Sequence, residues 1–182
     1  MKQYKVFHGG YKLDHKTGYQ GAKKGRIECG VGLYTTNSYD RACLYAKGIR
    51  KVYELHLNLD INDCTAMIRL NKDQILREFI STTPKSIQRK WEHFCERWDH
   101  TDSIALSTLD VFLTNCNQAH KYAKELNAYM VSKGGKFSMD NSEVRIHDFS
   151  VITHCSAVIN DYEASMKELD VLRSQVTAAR LR

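Results

Sequence analysis

The sequence predicts an α+β fold, and three observations predict it. Short segments of strand character lie within residues 1–60 and again after residue 142. A long stretch between them carries helical periodicity. A lone proline, Pro84, and the lack of any low-complexity tract argue for one continuous domain over 182 residues. At the start, Tyr4–His8 reads as a strand closed by Gly9-Gly10. Residues 11–30 form a polar, glycine-punctuated loop, and loops of that length are usually functional or mobile. Gly32–Thr36 is a second short strand. Asn37 or Ser38 then caps a helix ending near Ala46 or Lys47, with Gly48 as its stop. Lys51–Leu59 alternates apolar and polar residues, as a half-buried strand does.

The middle is expected to be helical over about residues 61–133, as an insertion. Asn71 caps a segment to about Ile80, and Pro84 occupies the first position of the next helix. Ile87, Trp91, Phe94 and Trp98 repeat at steps of four, three and four, which puts them on one apolar face. That stripe reads as core rather than as a base-stacking platform. Residues 103–133 read as one or two further helices stopped by Gly134-Gly135. Glu143–His147, Ser150–Ile152 and Ser156–Ile159 read as late strands. A C-terminal amphipathic helix is expected over about residues 161–180, with Met166, Leu169, Leu172 and Val176 on one face. It packs on its own domain or docks a partner.

A composition of 42% hydrophobic and 26% charged residues is that of an ordinary globular protein and excludes a disordered or collagen-like chain. No apolar run reaches the length of a membrane helix. The first residues lack the apolar core of a secretory signal, so a cytoplasmic location is the expectation. The six cysteines form no C-x-x-C pair and are expected to be reduced thiols. The eight histidines include no H-x-x-x-H pair, and no metal is expected. The net charge of +6 is carried wholly by residues 1–60, which hold 11 basic and 5 acidic groups. That excess is either loop solvation or a footprint for an anionic partner.

Three short pieces combine into a chemical pattern. Phe7-His8-Gly9-Gly10 ends the first strand. Gly32-Leu33-Tyr34 lies on the second, with Ala42 and Tyr45 on the helix after it. Ser142-Glu143-Val144-Arg145-Ile146-His147-Asp148 opens a late strand with an acid. Each alone has a bland reading: a strand-end histidine, a chance tyrosine pair, a solvated acid. Their order is the informative part.

That order resembles the His-Tyr-Glu branch of the ADP-ribosyltransferase superfamily, which includes the diphtheria-toxin and poly(ADP-ribose)-polymerase-like enzymes. The resemblance covers residues 6–10, 30–46 and 142–152 and does not extend to residues 61–130. Gly32, Tyr34, Ala42 and Tyr45 match its G-x-Y…A-x-x-Y pattern at the same offsets. It implies an ADP-ribosyltransferase-like fold, with two small, mostly antiparallel sheets around an NAD⁺ cleft. It also implies NAD⁺ as substrate and no metal. Glu143 would be catalytic, stabilising positive charge on the nicotinamide ribose. His8 would bind the adenosine ribose, Gly9 would offer its backbone to the nicotinamide amide, and Tyr34 and Tyr45 would hold the cationic ring between them. Lys23, Lys24 and Arg26 are candidate pyrophosphate or acceptor contacts, and Asn141 a candidate acceptor contact.

Departures limit the acceptor. The arginine-modifying branch carries an arginine on the first strand and Glu or Gln two residues before the catalytic acid; here those positions are His8 and Asn141. Ser81-Thr82-Thr83 only superficially matches that branch's Ser-Thr-Ser strand, since Pro84 follows and marks a helix start. The function implied is mono-ADP-ribosyl transfer to a macromolecule, either nucleic acid, with RNA ahead of DNA, or protein. The implied biology is a small bacterial or phage toxin or effector, with an antitoxin or immunity protein as partner and no membrane. The alternatives are a NAD⁺ glycohydrolase and an inactive module that binds ADP-ribose or nucleic acid.

Overall fold

The computed structural model describes residues 2–10, 13–21, 30–46, 51–98, 101–140 and 143–158. The expected C-terminal helix at 161–180 lies outside them. The chain is α+β, with two antiparallel sheets and five α-helices among the described residues. The strands are β1 (Lys2–Gly10), β2 (Leu33–Thr36), β3 (Lys51–Leu59), β4 (Arg69–Asn71), β5 (Ser103–Ala105), β6 (Phe137–Asp140), β7 (Glu143–Ile146) and β8 (Ile152–Val158). The helices are α1 (Tyr39–Tyr45), α2 (Lys72–Glu78), α3 (Lys85–Trp98), α4 (Ser107–Asn115) and α5 (Ala123–Ser132).

The larger sheet has the order β6-β7-β2-β1-β3-β8. It is close to two three-stranded halves. β1 pairs with β3 along its whole length, from Lys2↔Leu59 to Gly10↔Lys51, whereas β1 meets β2 at the single pair Phe7↔Thr36. The expected two small sheets therefore take the form of one six-stranded sheet nearly parted at its middle. The second sheet is only the β4–β5 ribbon, registered Arg69↔Ala105 to Asn71↔Ser103 and packed against α2 and α4.

Local chemistry accounts for the elements. Ser38 Oγ accepts from the Arg41 amide at 3.3 Å to start α1, and Asn71 Oδ1 accepts from the Asp73 and Gln74 amides at 2.8 and 3.3 Å to start α2. On α3 the apolar stripe is core: Ile87 and Trp91 are buried, and the Trp91 ring meets Phe112 of α4 edge-on at 5.0 Å. The Trp98 side chain lies outside the described residues. Two expectations need correction, and one strand, β6, was not anticipated. Ser103–Ala105, read as helix, pair with residues 69–71 as β5, because Arg69 Nη2 donates to the Ser103 carbonyl at 2.5 Å and the ladder completes the backbone. Phe137–Asp140, read as no element, form β6 against β7. Phe149–Val151 is a 3₁₀ turn rather than a strand, because Asp148 Oδ1 accepts from the Ser150 amide at 2.9 Å and bends the chain before β8.

The two larger of three buried clusters pack against the sheet. One gathers α2–α5 around Ile75, Trp91, Leu109, Leu113, Leu126 and Met130, and the other joins Val6, Leu55, Leu57, Phe137 and Ile146 across the sheet. The helical core and β7 are tied by a buried ion pair. Arg145 Nη1 donates to Asp110 Oδ2 at 2.6 Å, and the Val31 amide donates to Asp110 Oδ1 at 3.0 Å. Burial pushes the Asp110 carboxyl up, and Arg145 and the Val31 N–H pull it back. Gly30, at φ 119°, makes room: a Cβ there would stand 2.1 Å from Arg145 Nη1. Removing one partner leaves a buried uncompensated charge. Asp110→Ala is therefore expected to cost about 3–5 kcal/mol of unfolding free energy, read from the denaturant midpoint, while the apolar pair Asp110→Leu with Arg145→Met recovers most of it.

Behind this pair runs a closed hydrogen-bond chain. Thr65 Oγ1 donates to Ser138 Oγ at 2.5 Å, Ser138 Oγ donates to His147 Nε2 at 2.7 Å, and His147 Nδ1 donates to Asn127 Oδ1 at 2.8 Å. Its connectivity is that of a Ser–His–Asn triad, but Ser138 and His147 are each only 2% exposed, so no substrate reaches the hydroxyl. The chain instead pins β6, β7 and α5 together. Burial, reinforced by Arg145, lowers the His147 pKa to about 3. The unfolded ring titrates at about 6.5. Below that pH the unfolded state takes up a proton that the native state refuses, so stability falls as pH drops from about 6.5 toward 3. Between pH 7 and pH 4.5 the wild type is expected to lose about 2–3 kcal/mol through this group. A His147→Asn variant, less stable at pH 7, is expected to lack that part of the slope in denaturant titrations at the two pH values.

Candidate functional site

The three sequence pieces are more than a hundred residues apart at their extremes, yet the sheet places them on three consecutive strands, β1, β2 and β7. One row crosses all three: Phe7 pairs with Thr36, and Thr36 pairs with Glu143. His8 follows Phe7 by one residue, Tyr34 precedes Thr36 by two, and Glu143 stands in the row itself. Asp140 of β6 continues the row opposite Glu143.

The parting of β1 from β2 begins at this row. Beyond Phe7, residues His8, Gly9 and Gly10 are registered with β3 alone. The Tyr34 carbonyl on the far lip is instead satisfied by His8, whose Nδ1–H donates to it at 2.7 Å. That bond selects the tautomer in which Nε2 is the acceptor. Burial pushes the His8 pKa down, with the Tyr34 carbonyl opposing it, so the ring is neutral at pH 7. A neutral, oriented imidazole with an accepting Nε2 suits a ribose hydroxyl donor.

Both glycines after His8 have steric reasons. A Cβ on Gly9 would stand 1.9 Å from the Ala42 carbonyl oxygen, so Gly9 is what lets α1 lie against β1. A Cβ on Gly10 would stand 2.6 Å from His8 Nε2. The missing Cβ of Gly9, expected to serve ligand approach, makes room for the helix. α1 is further seated by Phe7, whose ring meets Tyr39 edge-on at 5.6 Å, and by Ala42 packed on Val52.

The tyrosines arrive differently. Tyr34 is half-buried on β2, and its hydroxyl donates to the Gly30 carbonyl at 2.5 Å, within the turn that Arg145 and Asp110 brace. Tyr45 ends α1 and is 52% exposed. Arg41, one helical turn before Tyr45 and on the same helix side, brings Nη2 to 3.7 Å from Glu143 Oε1. α1 thus carries Tyr45 on the side that faces Glu143. The Glu143 side chain is 19% exposed, screened but reachable. From the loop after β1, Tyr19 packs into both cores close to Gly32 and Tyr34, and burial raises its phenol to about 12.

His8, Gly9, Tyr34 and Glu143 thus lie on the strands that border one parted seam, with Tyr45 on the helix beside it. Lys23, Lys24, Arg26 and Asn141 lie outside the described residues. Sequence reasoning missed Arg41, Asp110 and Arg145. Asp110 had a signal, an acid between Leu109 and Leu113 on an apolar helix. So did Arg145, a charge between two apolar residues of a strand. Among the described residues no group of three His, Cys, Asp or Glu side chains converges as metal ligands, and no helix is long and apolar enough to cross a membrane.

Because Gly9 seats α1, a Gly9→Ala substitution forces the helix outward. The expected cost is about 1–3 kcal/mol in stability, with displacement of Arg41 and Tyr45 from the seam, read as chemical-shift changes confined to α1, β1 and the Glu143 strand. No protein-family model matches the chain, and no curated protein or solved structure matches it significantly, so the seam is interpreted from its own residues.

Proposed function

We propose that the chain is a NAD⁺-dependent mono-ADP-ribosyltransferase acting on a macromolecular acceptor, nucleic acid or protein. The observation that carries this reading is the gathering of His8, Tyr34 and Glu143 on adjacent strands at a parted seam, with Tyr45 on the helix beside it. A toxin or effector role, with an inhibitor partner, is the biological setting that the family resemblance implies.

The chemistry asked of these residues is cleavage of the bond between the ribose C1′ and the nicotinamide nitrogen. Nicotinamide leaves neutral with the bonding electron pair, and C1′ develops oxocarbenium character. Glu143 binds the ribose 2′-hydroxyl and offsets that charge electrostatically. Tyr34 and Tyr45 hold the cationic ring before cleavage. His8 Nε2 accepts from the adenosine-ribose hydroxyl. Past Phe7 the β2 side of β1 is no longer laddered, which gives the carboxamide a backbone edge at Gly9 to pair with. The acceptor then attacks C1′ and releases a proton to solvent.

Glu143→Gln is expected to lower the rate of nicotinamide release about 10²- to 10³-fold with NAD⁺ affinity largely kept. Tyr34→Ala and Tyr45→Ala are each expected to weaken NAD⁺ binding about 3- to 30-fold. The test is incubation of wild type and Glu143→Gln with NAD⁺ labelled in the adenylate and a cell extract, followed by separate protease and nuclease digestion. Macromolecular label formed by the wild type that vanishes with nuclease identifies a nucleic-acid acceptor, and label that vanishes with protease identifies a protein acceptor. Free nicotinamide without macromolecular label identifies water as the acceptor. Absence of both macromolecular label and free nicotinamide overturns the enzymatic reading.

A further inference from the structure

We propose that an open cleft of about 440 Å³ past the end of β7 is a second binding site, for a phosphorylated sugar. Its volume falls in the range of small-molecule sites, ~300–1,000 Å³. Two chain segments line it: His15 and Lys16 of the loop after β1, and Asp148, Phe149 and Ser150 of the turn before β8, with Val131 of α5 also in the lining. Glu143 opens β7, whereas the cleft begins where that strand has ended, and the two sites share no residue. Both segments are held in place. Asp14 Oδ1 accepts from the Lys16 amide at 3.0 Å, the Asp14 carbonyl accepts from the Thr17 hydroxyl at 3.0 Å, and Gln20 Nε2 donates to the Thr17 carbonyl at 2.7 Å. Tyr19, next along, packs into both large clusters. In the other segment Asp148 Oδ1 accepts from the Ser150 amide at 2.9 Å, and both ring nitrogens of His147 are bonded, to Ser138 and to Asn127. The cleft is therefore formed before a ligand arrives.

What the lining side chains leave unused identifies the ligand. Among the described residues the Lys16 ammonium, the His15 ring and the Ser150 hydroxyl make no hydrogen bond or ion pair, and Asp148 Oδ2 accepts none. An ammonium is a compact point charge with three donors, and with the imidazole beside it in sequence it suits a phosphate. Asp148 asks for something else. A carboxylate only accepts, and it opposes a bare anion. It is matched by hydroxyl donors on the same molecule, as acidic side chains match ribose hydroxyls in dinucleotide sites. The Ser150 hydroxyl can donate to either part. Val131 and Phe149 offer apolar surface to the carbon-bound hydrogens of a sugar ring. A plain anion would leave Asp148 opposed, and a neutral sugar would leave Lys16 unused. A phosphorylated sugar, free or within a mononucleotide, uses both.

The experiment titrates ribose 5-phosphate, adenosine 5′-monophosphate and inorganic phosphate into wild type, Lys16→Gln and Asp148→Asn, read by calorimetry and by amide chemical shifts. The Asp148→Asn variant removes the charge but keeps an acceptor for the Ser150 amide. Both organic phosphates are expected to shift the amides of residues 15–18, 131 and 147–150. Lys16→Gln is expected to weaken them roughly ten- to hundredfold. Asp148→Asn is expected to weaken them about three- to tenfold while inorganic phosphate binds no more weakly than before, a split that a merely structural role would not produce. Tighter binding of the nucleotide than of ribose 5-phosphate assigns the site to mononucleotides, and equal binding assigns it to free sugar phosphates. No shifts at millimolar ligand, shifts at the seam instead, or unchanged affinity in Lys16→Gln overturn the inference. Inorganic phosphate binding as tightly as ribose 5-phosphate overturns it too. None of these outcomes bears on cleavage of NAD⁺ at the seam.

Discussion

The site depends on one hydrogen bond across a gap. β1 and β2 meet at Phe7↔Thr36 and then separate, and an antiparallel ladder that stops leaves backbone groups without partners. His8 Nδ1 supplies the missing donor to the Tyr34 carbonyl at 2.7 Å. The bond holds the two lips at a set separation, fixes the imidazole tautomer and points the remaining lone pair away from Tyr34. A seam made this way costs little backbone satisfaction, and it sits in the middle of a sheet rather than at an edge.

What keeps the far lip rigid is the Arg145–Asp110 pair. Arg145 is on the Glu143 strand, two residues from the acid, and Asp110 is on α4 within the helical core. Between them they grip Val31 and the Gly30 turn, and Gly30 in turn receives the Tyr34 hydroxyl. The helical stretch is thereby coupled to the position of Tyr34. Buried ion pairs of this kind add little net stability relative to apolar packing, yet they specify one arrangement because breaking them is so costly. On the near lip the same positional precision comes from absence: Gly9 lets the Ala42 carbonyl lie where a Cβ would otherwise be.

Much of this was legible in the sequence where the cause was local. Ser38 and Asn71 cap the helices their side-chain chemistry suggests, and the alternation of Lys51–Leu59 became the strand it describes. The Ile87–Trp91 stripe became core for the same reason. What escaped was non-local. β4, β5 and β6 are three or four residues each, too short for periodicity, and they exist because a partner strand lies alongside. The site followed the same division. His8, Tyr34, Tyr45 and Glu143 were singled out by the order of three short pieces and the family resemblance that this order carries, whereas Arg41 and Asp110 acquire meaning only when α1 and α4 are packed beside β7. The near-parting of the sheet, too, is a property of pairing, which no single strand records.

The most direct test is a crystal structure of the Glu143→Gln variant with NAD⁺ bound. The account predicts the nicotinamide ring between Tyr34 and Tyr45, the carboxamide paired with the Gly9 backbone, and a ribose hydroxyl on His8 Nε2. NAD⁺ seated elsewhere on the molecule, or β1 and β2 found continuously paired past Phe7 with no room for a ligand, would contradict it.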